Sequence, residues 1–319
     1  MQAKSDKILK LLLNQDKVNI QLAFVLAKQY NYDTKVAEEL RKHPFMCFEH
    51  DLEIEYFQNS TELYLVNEQL TSIPKKVWQL HNLQLLHLGE NQLTFLPPEI
   101  GQLTNLQELI MWDNQLTFLP PEIGRLNNCY KIDLGKNPFA SPPSEIGDLT
   151  NLQELSFRVN ALTVLPPEIG QLKNLRVLQL LGNKLTNLPS EVGKMENLRD
   201  LYLGYNQLTT LPPEIGQLTN LRELHLRNNK LAFLPSEIGL LANLRVIDIH
   251  NNQLTTLPPE IGQLTNLQGL NLQDNNLTSL PREVKQMEAL QDLILYGNPI
   301  SKRRQTSIKK LLPNCDIRF

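Results

Sequence analysis

The chain has 319 residues, a formal net charge of −3 at pH 7 and 41% hydrophobic residues, much of that share being leucine. This charge gives no electrostatic basis for binding nucleic acid or an anionic membrane. No apolar run approaches the roughly 18 residues that a membrane-spanning helix needs, so we predict no membrane span.

The cysteines and the first residues bear on the compartment. Cys47, Cys129 and Cys315 lie far apart and show no paired spacing, which favours a reducing cytoplasm over a disulfide-bonded secreted protein. Residues 1–19 contain a short Leu-Leu-Leu stretch but no small-residue cleavage site, and so indicate an amphipathic helix and not a signal peptide. Export by a non-classical route stays open as the alternative.

Residues 1–58 precede the periodic part of the sequence and are predicted to form a helical N-terminal cap. Apolar residues at helical spacing predict three helices, over 4–14, 16–30 and 34–42. Residues 45–58 are ambiguous and could hold a short strand that pairs with the region that follows. A proline at position 44 discourages a helix at Phe45, which favours that strand.

From residue 59 to about residue 300 the sequence repeats with a period of 23. The repeat is marked by one residue type at every twenty-third position: Asn91, Asn114, Asn137, Asn160, Asn183, Asn206, Asn229, Asn252, Asn275 and Asn298. One step earlier the same position holds Glu68. We therefore expect about eleven units, with no insertion or deletion between them.

The unit reads L-x-x-L-x-L-x-x-N-x-L-T-x-L-P-x-E-I-G-x-L-x-N, and residues 83–105 show it fully. Leu86 and Leu88 alternate, so they point the same way from a short strand. The other apolar positions follow at irregular spacing, which neither a flat sheet nor a single helix could bury. A closed coil can turn all of them inward, and stacked coils cover each other's apolar faces. The pattern therefore predicts a solenoid.

The other repeated residues are predicted to have structural roles. The asparagine amide can donate and accept hydrogen bonds at once, and we expect it to tie its own turn to the next coil. Pro97-Pro98-Glu99 cannot be a central strand, and should form the outer turn ahead of a short helical piece. The repeated glycine, Gly101 in this unit, is expected to permit tight local backbone geometry.

This unit resembles the leucine-rich-repeat family, in the 23-residue form of its Ras-suppressor-like, plant intracellular and bacterial members. The resemblance covers about residues 60–300, and it is specific because eleven units keep one register. It implies an α/β fold, a right-handed horseshoe-shaped solenoid with a parallel β-sheet on its concave face. It also implies that the concave face is used mainly for protein recognition.

The fourth unit departs most from the pattern. It has Cys129 at a leucine position, Pro138 and Phe139 after the asparagine, and Pro142 where leucine belongs. We expect Cys129 to point inward as an inert apolar residue. We also expect the coil to be locally irregular here.

Residues 301–319 are predicted to cap the end of the stack, since an open stack exposes apolar side chains there. Residues 301–312 have the pattern of a basic amphipathic helix. Cys315, Ile317 and Phe319 then alternate as a final edge strand. The basic residues suit a solvated helix face that discourages further stacking better than they suit nucleic-acid binding.

Positions that differ between the units are where a partner would be recognised. Alternation sends the residues beside the two strand leucines to the concave face, where adjacent coils lie about 4.8 Å apart. Two clusters there contain residue types that are enriched at interaction hot spots. The first contains Leu85, His87, Ile110, Trp112 and Arg158. The second contains Leu181, Tyr202, Tyr205, His225, Arg227 and His250.

Each cluster has a plainer interpretation, because aromatic neighbours across strands stabilise any sheet. An outward Trp112 beside an outward Ile110 favours binding for the first cluster, and both interpretations stay open for the second. His225, Asp248 and His250 have residue types that suit zinc, but a solvated polar sheet face is the favoured interpretation of them. We predict no metal and no cofactor.

Arginines recur on four consecutive coils at one position of the unit: Arg176, Arg199, Arg222 and Arg245. One interpretation is a surface stripe of ion pairs with little energetic value. The other is a docking edge for an acidic partner.

No nucleophile elbow, phosphate-binding loop, dinucleotide fingerprint or HExxH motif is present, and the segments outside the repeat leave no room for a catalytic domain. We therefore predict a non-catalytic scaffold, monomeric and cytoplasmic, that binds a partner protein on its concave face, with signalling as its setting. One alternative is an exported host-interaction effector or surface recognition protein with the same fold. Another is an enzyme with an unrecognised concave-face site, which a pocket of perturbed titratable groups would favour.

Overall fold

The computed structural model describes residues 2–14 and 16–319. In the described part of the N-terminal region, five helices come first: α1 Gln2–Leu13, α2 Lys17–Gln29, α3 Thr34–Leu40, α4 Pro44–His50 and α5 Ile54–Gln58. The side chains of Asp16 and Asp33 accept hydrogen bonds from the backbone N–H groups at the starts of α2 and α3, which fixes where these helices begin. The helical N-terminal region is therefore confirmed.

The strand considered over residues 45–58 is wrong, because α4 and α5 occupy this segment. Pro44 stands at the first position of α4. There its missing N–H is not needed and its fixed φ suits a helix, so the proline begins the helix and does not prevent it. Phe48 and Phe57 join the two helices through rings whose centroids lie 5.2 Å apart.

Within the described residues, twelve three-residue strands form one parallel sheet in chain order. They are β1 Glu62–Tyr64, β2 Leu85–His87, β3 Glu108–Ile110, β4 Lys131–Asp133, β5 Glu154–Ser156, β6 Val177–Gln179, β7 Asp200–Tyr202, β8 Glu223–His225, β9 Val246–Asp248, β10 Gly269–Asn271, β11 Asp292–Ile294 and β12 Asp316–Arg318. Leu86 pairs with Leu109 and Leu201 with Leu224, so equivalent positions of successive units lie side by side. This is the right-handed leucine-rich-repeat solenoid that the period predicts.

A 3-10 turn forms the outer side of each coil. Within the described residues these turns are Lys75–Gln79, Pro98–Gln102, Pro121–Arg125, Ser144–Asp148, Pro167–Gln171, Ser190–Lys194, Pro213–Gln217, Ser236–Leu240, Pro259–Gln263 and Arg282–Gln286. Each begins after an extended proline, such as Pro97 with φ −75° and ψ 156°. The predicted outer turn with a short helical piece is confirmed.

The leucines of the unit form one continuous core that the N-terminal helices extend. In the fourth unit the expected irregularity is wrong, because the coil keeps its strand, its 3-10 turn and its inward positions. Phe139 fills a leucine position and meets Phe157 edge to face at 5.6 Å. One hydrogen bond is lost at Pro138, which lacks the N–H that Gln115 donates to the preceding coil. Cys129 is buried as expected, and burial raises its pKa to about 12.

The buried asparagines tie each coil to the one before it, and not to the next as the sequence suggested. The Nδ2 of Asn114 donates to the carbonyl of Leu88 on the preceding coil (2.9 Å) and to that of Met111 on its own coil (3.1 Å). Its Oδ1 accepts from the backbone N–H of Leu93 on the preceding coil (3.0 Å). One side chain thus satisfies backbone groups that have left the sheet ladder.

The repeated glycines have a different reason from the expected one. Among the described residues, Gly182 and Gly297 are the glycines with positive φ, and neither belongs to this column. A Cβ at Gly216 would instead lie 2.5 Å from the carbonyl oxygen of Glu237 on the next coil. The glycine therefore permits close approach of one coil to the next.

The C-terminal residues form the predicted helix and edge strand. Helix α6 spans Lys302–Leu311, and the hydroxyl of Ser301 accepts a hydrogen bond from the backbone N–H of Arg304 at its start. Ile308 is buried against the stack. Strand β12 pairs in parallel with β11, where Ile317 lies beside Leu293.

Candidate functional site on the concave face

The concave face is built from the two outer residues of each strand. The middle residue, Leu201 in β7, is fully buried, while Asp200 and Tyr202 on either side of it are partly exposed. Because the strands pair in parallel without slippage, Tyr202 lies directly beside His225 of β8. Columns of variable side chains therefore run along the solenoid, as expected from the repeat.

In the first predicted cluster, His87 and Trp112 are brought together. Their ring centroids lie 6.4 Å apart with the rings at 74°. Trp112 lies over Gly89, where a Cβ would be 3.1 Å from its Nε1. Tyr64 extends the group, with its ring 6.1 Å from that of His87. Burial lowers the pKa of His87, so the imidazole is held in its neutral form.

Leu85 and Ile110 flank this aromatic group. Ile110 pairs with His87 across β2 and β3, and Leu85 stands on β2 two residues before His87. Both side chains are half-buried. They contribute an apolar border to the His87 and Trp112 rings.

Arg158 does not belong to the first cluster. It is two coils from Trp112, and it lies over Gly135, where a Cβ would be 2.8 Å from the arginine Cγ. The intervening coil separates the guanidinium from the indole. Arg158 instead borders a depression on β4, β5 and β6.

This depression is centred on Ser156 and has a volume of about 270 Å³. Ser156 is 8% exposed, and its Oγ is buried without a hydrogen-bond partner among the described residues. The wall includes Lys131 and Glu154, which pair at 3.2 Å, while Arg158 has no carboxylate within 4.0 Å among the described residues. A buried hydroxyl without a partner is rare in folded proteins. The depression thus offers a hydroxyl and an unpaired guanidinium to a polar group from outside.

In the second predicted cluster, Tyr202 and His225 stack face to face, with centroids 4.7 Å apart and an interplanar angle of 8°. The carboxylate of Glu223 holds both rings, since it accepts from the Tyr202 hydroxyl (3.2 Å) and lies 3.0 Å from the His225 Nε2. Burial and the Glu223 charge raise the pKa of Tyr202 to about 12. Burial and the same charge also raise the pKa of Asp200. These shifts arise from side chains packed against one another on an open sheet.

Leu181, Tyr205 and Arg227 form the outer part of the second cluster. The Arg227 guanidinium lies 5.3 Å from the centroid of the Tyr205 ring. Gly204, on the coil between those of Leu181 and Arg227, makes room for both side chains. A Cβ at Gly204 would lie 3.0 Å from the Arg227 Cγ and 3.3 Å from the Leu181 Cδ1. Three large concave-face side chains, Trp112 among them, thus lie over glycines of the preceding coil.

His250 is on the next coil and makes separate contacts. Its Nδ1 lies 2.7 Å from Asp248 and 3.3 Å from the Asn271 amide, whereas His225 pairs with Glu223. Over residues 2–14 and 16–319, no group of three or more His, Cys, Asp and Glu side chains is placed to hold a metal ion.

Val159 is a strained residue beside the second cluster that sequence reasoning missed. The residue before each buried asparagine adopts the left-handed conformation, and Val159 does so with φ 55° although it is β-branched. Its side chain is 50% exposed and contacts the backbone position of Gly182 on the next coil. The signal was present, because Asp113 and Asn228 hold this position on other coils and suit it far better.

Exposed phenylalanines outside the sheet were also missed. Phe95, Phe118 and Phe233 occupy one variable position of the unit, between the buried asparagine and the outer turn. Each is about half exposed. They provide aromatic surface of the same kind as the concave clusters but on a different side of the coil.

Comparison with known proteins agrees with this architecture. A family model described as leucine-rich repeat region matches residues 57–161, 144–228 and 213–313. The chain belongs to the leucine-rich-repeat family. A search of curated proteins found no match. Among the described helices, none is long and apolar enough to cross a membrane.

Several solved structures are similar to this leucine-rich-repeat chain. A leucine-rich-repeat protein of Leptospira interrogans is 38% identical over 86% of each chain, with a TM-score of 0.45. The plant peptide hormone receptor RGFR1, solved in complex with RGF2, is 33% identical with a TM-score of 0.67. That match covers 76% of this chain and 40% of the receptor. An internalin of Listeria monocytogenes is 22% identical over 83% of this chain and 82% of its own, with a TM-score of 0.65, and supports the fold alone.

Proposed function

We propose that this protein is a non-catalytic, monomeric scaffold that binds a partner protein across its concave face. The observation that carries the proposal is the Tyr202 and His225 stack, held by Glu223 and continued by the Arg227 and Tyr205 pair. Tyrosine and arginine are the residue types enriched at interaction hot spots. Because these side chains already contact one another in the free protein, less conformational entropy is lost when a partner binds.

The first cluster gives the same support at the other end of the face. Trp112 is held between His87 and the Lys136 ammonium, which lies 5.6 Å from its ring centroid. An indole packed in this way on an open sheet is suited to contact with an apolar group of a partner. The Ser156 depression lies between the two clusters along the chain and would receive a polar group of the same partner.

The proposed setting is signalling in the cytoplasm. The plant receptor that is 33% identical to this chain was solved with a peptide hormone, which supports a recognition role. Cys47, Cys129 and Cys315 are free thiols, which favours a reducing compartment. Fractionation of cells that express a tagged full chain tests the location, and recovery from the culture medium alone would contradict it.

The concave-face proposal is tested by quantitative affinity capture with two matched variants. The first carries Trp112→Ala and Tyr202→Ala on the concave face. The second carries Phe118→Ala and Phe233→Ala, which remove similar aromatic area outside the sheet. Circular dichroism and thermal melts verify that both variants remain folded.

We expect the unchanged protein and the phenylalanine variant to retain a partner that the concave-face variant binds about tenfold or more weakly. The reason is that hot-spot truncations cost about 2 kcal/mol or more of binding free energy. If the concave-face variant captures the same partners to the same extent, the proposal is wrong.

A further inference from the structure

Four arginines lie in a row along the N-terminal ends of neighbouring strands: Arg176, Arg199, Arg222 and Arg245. Each immediately precedes one of the strands β6 to β9, and each is exposed. The strands pair without slippage, so the four residues form a row along the solenoid. With strands about 4.8 Å apart, this arginine ladder is about 14 Å long.

The arginine ladder differs from other charged positions on adjacent coils. Lys131 pairs with Glu154 at 3.2 Å, and Lys173 pairs with Glu196 at 2.8 Å. Among the described residues, no carboxylate lies within 4.0 Å of any guanidinium of the ladder. Like charges on neighbouring strands repel one another. Within the described residues the ladder is therefore a row of positive charge without direct ion pairs, although Arg199 and Arg222 act electrostatically on the nearby Asp200 carboxylate. The surface ion-pair stripe considered from the sequence is wrong for these four residues.

A second row runs alongside the ladder, two residues earlier in each unit: Asn174, Asn197, Asn220 and Asn243. The Nδ2 of Asn197 donates to the carbonyl of Lys173 (2.9 Å), and that of Asn220 to the carbonyl of Glu196 (2.8 Å). Each amide donor is thus used within the protein, while the Oδ1 atoms accept no hydrogen bond among the described residues. The second row offers acceptors to a ligand.

The two rows enclose a shallow groove. One part of the groove, of about 140 Å³, is lined by the side chains Asn197, Arg199, Asn220, Arg222, Asn243 and Arg245. It continues toward the N-terminal coils into a depression of about 500 Å³ whose lining includes Gln153 and Arg176. One side of the groove therefore carries cationic donors and the other side carries amide acceptors.

We propose that this groove binds an acidic peptide segment in an extended conformation, running along the solenoid. Carboxylate side chains would pair with the guanidinium groups, which bind carboxylates in bidentate fashion. Backbone N–H groups would donate to the asparagine Oδ1 atoms. Four to five extended residues span about 14 Å. The site is separate from the concave clusters and does not depend on them.

The same features favour a peptide over a nucleic acid. A phosphodiester backbone carries no N–H donors for the asparagine row. The ladder ends at neutral residues, Gln153 on one side and Gln268 on the other. The whole chain has a net charge of −3, so a long polyanion would extend from the ladder over surface that does not attract it.

The test uses fluorescence anisotropy with a labelled penta-glutamate peptide and the full chain at low salt. The ladder variant carries Arg176→Gln, Arg199→Gln, Arg222→Gln and Arg245→Gln. Glutamine already occupies this position at Gln153 and Gln268, so the substitution suits the fold. The control variant carries Lys302→Gln, Arg303→Gln, Lys309→Gln and Lys310→Gln on α6, and loses the same charge.

We expect the ladder variant to bind the peptide about tenfold or more weakly and the control variant to change by less than about twofold. A penta-glutamine peptide should not bind, and the Trp112→Ala, Tyr202→Ala protein should bind penta-glutamate normally. Equal losses in the ladder and control variants would overturn the proposal, because only net charge would then matter. Tighter, ladder-dependent binding of a ten-nucleotide thymidine oligonucleotide would overturn it in favour of nucleic acid.

Discussion

Leu201 and Tyr202 are neighbours on one strand, yet Leu201 belongs to the buried core and Tyr202 to the concave face. Leu201 lies in the interior of the coil, where nearly every unit presents the same shape to the next. Tyr202 lies on the concave face, where its contacts depend on which residues the adjacent coils happen to carry. The interior thus repeats and stabilises, while the surface varies and can recognise. A single strand of three residues can therefore contribute to both the core and the binding face, because its side chains alternate.

The largest contrast between these regions should come from truncating the two neighbours. Leu201→Ala removes a fully buried side chain and is expected to lower the free energy of unfolding by about 2–5 kcal/mol. Tyr202→Ala removes a partly exposed ring, its stacking on His225 and its hydrogen bond to Glu223, and is expected to lower the free energy of unfolding by about 1–2 kcal/mol. Urea unfolding followed by circular dichroism measures both. Equal losses would mean that the concave face is part of the core.

The asparagines test the same contrast with one residue type. Asn206 satisfies the carbonyls of Leu180 and Leu203 and the N–H of Leu185, so Asn206→Ala should destabilise by about 3 kcal/mol because buried backbone groups lose their partners. Exposed Asn220 donates once to a carbonyl, and Asn220→Ala should cost about 1 kcal/mol or less. Similar values for the two variants would refute the role given to the buried column.

Two glycines, Gly216 and Gly269, distinguish a glycine that is needed for close approach of the coils from one that only adds chain flexibility. Gly216→Ala would place a Cβ 2.5 Å from the Glu237 carbonyl oxygen on the next coil, and should destabilise by about 1–3 kcal/mol. Gly269→Ala meets nothing within 4 Å and should be neutral or stabilising by up to about 1 kcal/mol. Thermal melts of the two variants give the comparison. If Gly216→Ala does not destabilise the protein, the repeated glycine is required for local backbone geometry and not for close approach of the coils.

Val159 occupies a turn position where the backbone is left-handed, with φ 55°. A β-branched side chain disfavours this conformation. Val159→Asn should raise the free energy of unfolding by about 1 kcal/mol, since asparagine adopts this conformation more readily. Val164→Asn is the matched control, with the same 50% exposure and no positive φ, and should change little. No gain at 159 would show that the turn is not strained.

The smallest expected effect concerns the charge of the concave face. Burial lowers the pKa of His87 in the folded protein below its ordinary value of 6.5, so the unfolded chain takes up this proton first as the pH falls. This contribution to stability is present above pH 6.5 and is lost as the pH falls through the folded pKa. Unfolding free energies at pH 7.5 and pH 5 should therefore differ less for His87→Gln than for the unchanged protein. An identical pH dependence would contradict the shift.

The repeat itself made much of the fold predictable. The 23-residue spacing of asparagine placed Asn91 and Asn114 in one column, and alternation placed Leu86 inward and His87 outward. The strand expected over 45–58 is wrong because Pro44 restricts the residue before it, His43, and not the residues after it, so it begins α4. The sequence groups Arg158 with Trp112 on one column, but the structure places Arg158 over Gly135 of the intervening coil, where the missing side chain leaves room for it.

The coil, its inward residues and the list of side chains on the concave face can all be predicted from the amino-acid sequence, because each follows from the period and from alternation within one unit. Which of those side chains contact one another is known only from the folded structure. The Tyr202 and His225 stack, the unpartnered Ser156 hydroxyl and the absence of ion pairs along the arginine ladder all depend on distances between atoms of different coils. Such distances depend on side-chain conformation and on which residue stands on the next coil, and neither is fixed by the pattern of a single repeat.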